Sequence, residues 1–145
     1  TQRFWEKIMP PFSLKTIDHV VLRVRDAEKS LRFYTQTLGC DIAKRRPDLG
    51  LVHLRAGTAM IDLVDVNGQL GKKGGDAPDP HRQNVDHLCL RIDPFNEDEL
   101  LAYLRSQGIA VDPAESRYGA EGDGPSVYFS DPDGNRIELK GPTIG

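Results

Sequence analysis

The sequence predicts an α+β fold made of two βαβββ modules related by pseudo-twofold symmetry. Three features predict it: an octet that occurs twice, a helix pattern after each octet, and an Ile-acid-Leu segment that closes each half. Each module is expected to form a curved mixed sheet with its helix on the outer face. The two sheets are expected to enclose a shared cavity.

The repeated octet is the strongest of these features. IDHVVLRV occupies residues 17–24 and VDHLCLRI occupies residues 85–92. Four positions are identical, and the others are apolar except that Cys89 stands where the first octet has Val21. Both octets have the apolar composition of a β-strand, so each is expected to open a module.

A helix pattern follows each octet. Asp26 is a capping residue for the first helix, which is expected to end at Gly39. Asn96 and Glu99 resemble a capping box for the second helix, which is expected to end at Gly108. The apolar stripes of the two helices are formed by Leu31, Tyr34, Leu38, Leu100, Leu101 and Leu104.

Short strand-like runs complete each half. They are predicted at residues 41–44, 51–54 and 59–66 in the first half and at residues 109–111, 126–129 and 136–140 in the second. The last strand of each half carries the matching segment Ile-Asp-Leu (61–63) or Ile-Glu-Leu (137–139). Each half is therefore interpreted as β-α-β-β-β.

These elements divide the chain into four parts. They are an N-terminal extension (1–16, with Phe4 and Trp5), a first module (17–66), a linker rich in Gly, Pro and charge (67–84) and a second module (85–141). The modules together are expected to form one domain over about residues 15–141.

Composition excludes several classes of function. The chain has 145 residues, a net charge of −3 and a pI near 5.8, which argues against a nucleic-acid binder. No apolar stretch approaches the length of a membrane span, so no membrane partner is expected. The two cysteines are too few for a disulfide scaffold, and a reduced cytoplasmic location is expected.

Strand alternation points to a metal site. If Val20, Leu22 and Val24 face the helix, His19 faces away, and the same reasoning applies to His87. The flanking Ile and Leu of each closing strand place Asp62 and Glu138 on the helix-free faces too. Two imidazoles and one or two carboxylates suit one divalent Zn, Ni, Co, Mn or Fe ion. Asp18 and Asp86 are expected to point to the opposite face and not to be ligands.

The sequence resembles the vicinal oxygen chelate superfamily (glyoxalase, bleomycin resistance protein and dioxygenase), and glyoxalase I-like members most closely. The segments DHVVLRVRDAEKSLRFYTQTLG (18–39) and VYFSDPDGNRIEL (127–139) carry the resemblance. The turn Asp131-Pro132-Asp133-Gly134 in the second segment is expected to be structural, as turn chemistry alone predicts.

The resemblance implies a ligand set and an activity. The metal ligands of the family fall on His19, Asp62, His87 and Glu138, with aspartate at position 62 where the family usually has glutamate. Glu138 and Asp62 would be catalytic in a lactoylglutathione lyase-type isomerisation through a metal-stabilised enediolate. Arg23 stands where glyoxalase I contacts the glutathione carboxylate, so a substrate-binding role for Arg23 and a glutathione adduct as substrate are implied.

Several alternatives remain open from the sequence. His19, His87 and Glu138 would also supply the triad of an Fe(II) extradiol-type dioxygenase. A bleomycin-resistance-type protein would bind a small molecule without catalysis, and a fosfomycin-modifying transferase is a further alternative. Family members pair their modules within one chain or between two chains, and a homodimer is expected here.

Overall fold

Residues 10–144 are described by a computed structural model. Residues 1–9, which include Phe4 and Trp5 of the expected extension, and Gly145 lie outside this range. The described chain forms two four-stranded mixed sheets, each with one α-helix. The predicted α+β fold of two βαβββ modules is thereby confirmed.

The elements of the modules follow the same order. The first module comprises β1 (His19–Val24), α1 (Ala27–Arg32, continued by a π-turn over Phe33–Thr37), β2 (Asp41–Arg46), β3 (Leu51–Ala56) and β4 (Ala59–Asp65). The second comprises β5 (Leu88–Arg91), α2 (Glu97–Ser106), β6 (Glu115–Gly119), β7 (Gly122–Ser130) and β8 (Arg136–Lys140). None of the helices between residues 10 and 144 is long and apolar enough to cross a membrane.

Both sheets have the same topology. The strand orders are β1-β4-β3-β2 and β5-β8-β7-β6. The first strand of each module pairs in parallel with the last, and the other pairs are antiparallel. A parallel pair requires a long crossover, and the helix and two intervening strands of each module provide it.

The helix ends form as their sequences predict. The Asp26 and Asn96 side chains each accept a hydrogen bond of 3.1 Å from the backbone N–H three residues later. Such caps satisfy amide groups that the first turn of a helix leaves unpaired. Gly39 and Gly108 follow the helices with φ of 82° and 79°, a region that favours glycine.

One predicted strand is wrong. Residues 109–111 form no strand, and the strand that pairs with β7 is β6, a segment that the sequence pattern leaves as a loop. Val111 is buried in the core without belonging to the sheet, which explains its apolar character. The side chains of β6 are mostly exposed at the sheet edge, so that strand carries no hydrophobic alternation.

The helix-facing sides of both modules share one hydrophobic core, and a polar network lies across the boundary between them. The buried Tyr34 hydroxyl donates to Asp131 at 2.6 Å, and the buried Ser30 hydroxyl donates to Asp133 at 3.0 Å. Asp131 also accepts the backbone N–H groups of Asp133 and Asn135. The turn over residues 131–135 is thus structural, as predicted, and it joins the second module to the helix of the first.

Asp131→Ala is expected to lower the free energy of unfolding by about 3 kcal/mol. The substitution leaves the Tyr34 hydroxyl and two backbone N–H groups buried without an acceptor. Urea denaturation of both proteins measures the change. Asp112→Ala, at an exposed position, is the matched control and should stay within about 0.5 kcal/mol of the parent. Equal losses in both variants would contradict the assignment.

Candidate metal centre

The first half-site consists of His19, Asp62 and His53, on the helix-free face of the first sheet. The parallel pairing of β1 with β4 sets Asp62 opposite Val21, two residues beyond His19. The pKa of His19 is raised, chiefly by a hydrogen bond to Asp18 and also by the Asp62 carboxylate. His19 and Asp62 therefore lie close enough to interact.

His53 completes this half-site from the neighbouring strand. It lies directly opposite Asp62 in the antiparallel β3–β4 pair. The His53 Nδ1 atom is 3.0 Å from Asp62 Oδ2, and the Asp62 side chain is only 6% exposed. The other carboxylate oxygen, Oδ1, is buried and has no hydrogen-bond partner among the described residues. Asp62 thus has one oxygen in contact with His53 and one buried oxygen without a hydrogen-bond partner among the described residues.

The second half-site consists of His87, Glu138 and Ser126, on the helix-free face of the second sheet. His87 Nε2 is 3.1 Å from Glu138 Oε1. The Ser126 hydroxyl donates to Glu138 Oε2 at 2.6 Å, and both residues are buried. Each predicted acid therefore has one oxygen in contact with a side chain from an adjacent strand.

Tyr128 and Cys89 lie beside Glu138 in this second sheet, each directly opposite it on a neighbouring strand. Desolvation and the Glu138 carboxylate raise the pKa of Tyr128, and the same causes raise the pKa of Cys89 to about 11. Both groups are protonated at neutral pH. The Tyr128 ring also packs edge-on against His87, with 5.9 Å between ring centroids.

Asp18 and Asp86 occupy places that the strand pattern does not predict. Each carboxylate turns back to the histidine that follows it, with 2.7 Å between an oxygen and Nδ1 of His19 or His87. Such pairing leaves Nε2 as the ring nitrogen available to a metal. The expectation that these aspartates point away from the histidines is therefore wrong, because each lies just before its strand, where alternation does not constrain it.

The four predicted ligands form two pairs rather than one cluster within the described chain. Over residues 10–144, no group of three His, Cys, Asp or Glu side chains is placed to hold an ion. Residues from the helix-facing sides of both modules belong to one hydrophobic core.

The guanidinium of Arg23 is hydrogen-bonded to the linker. It donates to the carbonyl oxygens of Gly71, Gly75 and Asp76 at 2.9, 2.6 and 3.1 Å. The geometry shows Arg23 fixing the course of the linker along β1. The Nε atom is buried, so the predicted contact with a substrate carboxylate is left to the one Nη1 N–H group that Asp76 does not use.

The residues present suit a divalent ion. The buried Oδ1 atom of Asp62 has no hydrogen-bond partner among the described residues, and a cation would supply one. Imidazole and carboxylate ligands suit Zn, Ni, Co, Mn and Fe(II) alike, so the metal is not identified.

Two members of the half-sites were not predicted as site residues. His53 has no matching histidine in the second half, where Tyr128 holds the equivalent position opposite the acid. The signal that identifies His53 is the hairpin register: the pair Ala56–Ala59 flanks a two-residue turn, and counting back from it sets position 53 opposite Asp62. Ser126 is short and neutral and gives no comparable signal.

Two βαβββ modules, each with an imidazole and a carboxylate on its helix-free face, define the class of vicinal oxygen chelate proteins. A sequence model of the Glyoxalase/Bleomycin resistance protein/Dioxygenase superfamily matches residues 16–139, and the chain belongs to that superfamily. The membership predicted from the sequence is confirmed.

The chain is similar to proteins with different activities or roles in their names. The chain is 31% identical over 125 residues to a virulence protein of Salmonella typhimurium, covering 85% of this chain and 81% of that protein. It is 25% identical over 137 residues to mitochondrial methylmalonyl-CoA epimerase of Bos taurus, covering 90% and 77%. The structure of lactoylglutathione lyase from Agrobacterium tumefaciens superposes with a TM-score of 0.64 at 26% identity, covering 91% and 96%.

In the metal-free protein, His19 is expected to titrate above its ordinary pKa of about 6.5, because its hydrogen bond to Asp18 stabilises the protonated ring. Asp18→Asn removes the charge and should lower this pKa. The pH dependence of the ring ¹⁵N and ¹H NMR shifts measures it. Asp86→Asn is the matched control and should leave the His19 titration unchanged. An unchanged His19 pKa in Asp18→Asn would contradict the assignment.

Proposed function

We propose that the protein is a metal-dependent enzyme of the glyoxalase I (lactoylglutathione lyase) type, which isomerises a small molecule with two adjacent oxygens, such as a glutathione hemithioacetal. The observation that supports this proposal is the matched pair of half-sites, each with one imidazole and one buried carboxylate. The similarity to the Agrobacterium lyase and the bovine epimerase agrees with proton transfer at carbon.

The complete site is formed between two protomers. His19 and Asp62 of one protomer meet His87 and Glu138 of its partner, and a homodimer holds two such sites. Exposed apolar side chains beside the half-sites support this arrangement: Ile17 is 77%, Val21 is 45% and Val85 is 37% exposed in the single chain. A second chain covering β1 and β5 would bury them.

The two acids have distinct tasks in this reaction. A divalent ion held by the four ligands would supply Lewis-acid stabilisation to the adjacent oxygens of the substrate. Glu138 removes the proton from one substrate carbon and returns it to the neighbouring carbon, because Ser126 fixes one of its oxygens and leaves the other on the His87 side. Asp62 lies in the complementary position across the pseudo-twofold axis. Arg23 orients an anionic end of the substrate with the Nη1 N–H group that the linker leaves unused.

A second candidate is an Fe(II) ring-cleaving dioxygenase. Tyr128 favours it, because its protonated hydroxyl lies next to Glu138 and its ring packs against His87, where an acid-base group is needed. Metal analysis of protein purified without chelator, followed by hemithioacetal and catechol assays with Ni, Zn, Co, Mn and Fe(II), separates the candidates. Absence of bound metal and of turnover with every ion would leave a ligand-binding protein and contradict the proposal.

Glu138→Gln is expected to reduce hemithioacetal turnover by about 10²- to 10⁴-fold, because the amide cannot accept the substrate proton. The variant should retain part of the bound metal, since the amide oxygen is still a weak ligand. Turnover by absorbance and metal per chain by mass spectrometry measure the two effects. Glu28→Gln, an exposed change on α1, is the control. Full turnover in Glu138→Gln would remove this residue from the chemistry.

A mixed dimer tests where the site is completed. His19→Ala and His87→Ala homodimers should each lose metal, because every site lacks one imidazole. A differently tagged heterodimer of the two variants should regain about half of the wild-type metal content, since one of its two inter-chain sites is intact. If the sites formed within single chains, the heterodimer would bind no more metal than its parents.

A further inference from the structure

The two carboxylates of the half-sites are supported by different side chains. The neutral Ser126 hydroxyl donates a hydrogen bond to Glu138, whereas Asp62 lies 3.0 Å from the His53 imidazole. Aspartate is one methylene shorter than glutamate, so its carboxylate has less freedom to adjust its position. The first half-site therefore depends on its supporting side chain more than the second does.

The strand register places His53 beside Asp62. The β3–β4 hairpin sets His53 and Asp62 directly opposite each other, and side chains in such a pair lie side by side on one face. The His53 side chain is 27% exposed, and its Nδ1 atom lies 3.0 Å from Asp62 Oδ2. The buried Oδ1 atom of Asp62 has no hydrogen-bond partner among the described residues.

We propose that His53 is a positioning residue of the metal centre, which holds Asp62 through Oδ2 so that Oδ1 is aimed at the metal position beside His19. The inference rests on the proposed function, since it concerns the ion that the half-sites would hold. His53 acts through Asp62 and is not itself a ligand. Partners of this kind in other metal sites set ligand orientation, and their loss weakens metal binding.

The test measures metal affinity rather than activity. Zn²⁺ and Co²⁺ dissociation constants of the dimer are determined by competition with a chromogenic chelator at fixed pH. His53→Phe, which cannot donate, is expected to weaken binding about ten- to a hundredfold. His53→Asn, whose amide nitrogen takes the place of Nδ1, is expected to restore most of the affinity. His81→Phe, at an exposed linker position, is the control and should match the parent.

A double-mutant cycle separates positioning from ligation. In an Asp62→Ala background, His53→Phe should change the affinity less than twofold, because the group through which His53 acts is absent. A further tenfold loss in that background would identify His53 as a ligand and overturn the proposal. So would equal affinities of His53→Phe and the parent. Thermal unfolding of each metal-free variant verifies that the fold is intact.

The failure of this inference is distinguishable from failure of the proposed function. A parent dimer that binds neither ion would contradict the metal-dependent function itself and the inference with it. A parent that binds tightly, together with a His53→Phe variant that binds equally tightly, would contradict the role of His53 alone.

Discussion

The parallel pairing of the first and last strands in each module determines where the chemical groups lie. In the first module it places β1, which begins at His19, next to β4, whose middle residue is Asp62. In the second module it places β5, which follows His87, next to β8, whose middle residue is Glu138. The register is fixed by burial, because a slip of one residue would turn Leu22 or Ile137 away from the core. The imidazole–carboxylate spacing of each half-site is thus a product of hydrophobic packing, and the polar side chains occupy the face that packing leaves free.

The contacts between the two modules of one chain form its core and, in the described part of the chain, do not bring the four predicted ligands into one group. Both helix-facing sides contribute to one core, and the turn over residues 131–135 binds the first helix through Tyr34 and Ser30. These contacts join the two modules within one chain. Within the described residues the predicted ligands do not form a group of three, and our proposal is that a second chain completes the site.

Much of the fold could be predicted because the sequence pattern of the first module is repeated in the second. The repeated octet, the capping residues Asp26 and Asn96, and the Ile-acid-Leu strands all appear where the pattern places them. The edge strand β6 could not be found, because an exposed polar edge has no alternation to detect. His53 and Ser126 were missed for another reason: their roles depend on cross-strand neighbours, and the repeat does not conserve the residue type at those positions. Whether the half-sites meet across two chains could not be predicted, because nothing in the repeat describes a contact between chains.

The contact between Arg23 and the linker has a consequence for the length of the linker. Three carbonyl oxygens of the connecting segment accept hydrogen bonds from Arg23 on the first strand, and a Cβ at position 74 would displace the guanidinium because it would lie 2.5 Å from the Arg23 Nε atom. The path of the linker is thus fixed by its hydrogen bonds to Arg23. An insertion or deletion in the linker would break these hydrogen bonds, so a change in its length is expected to lower the stability of the fold.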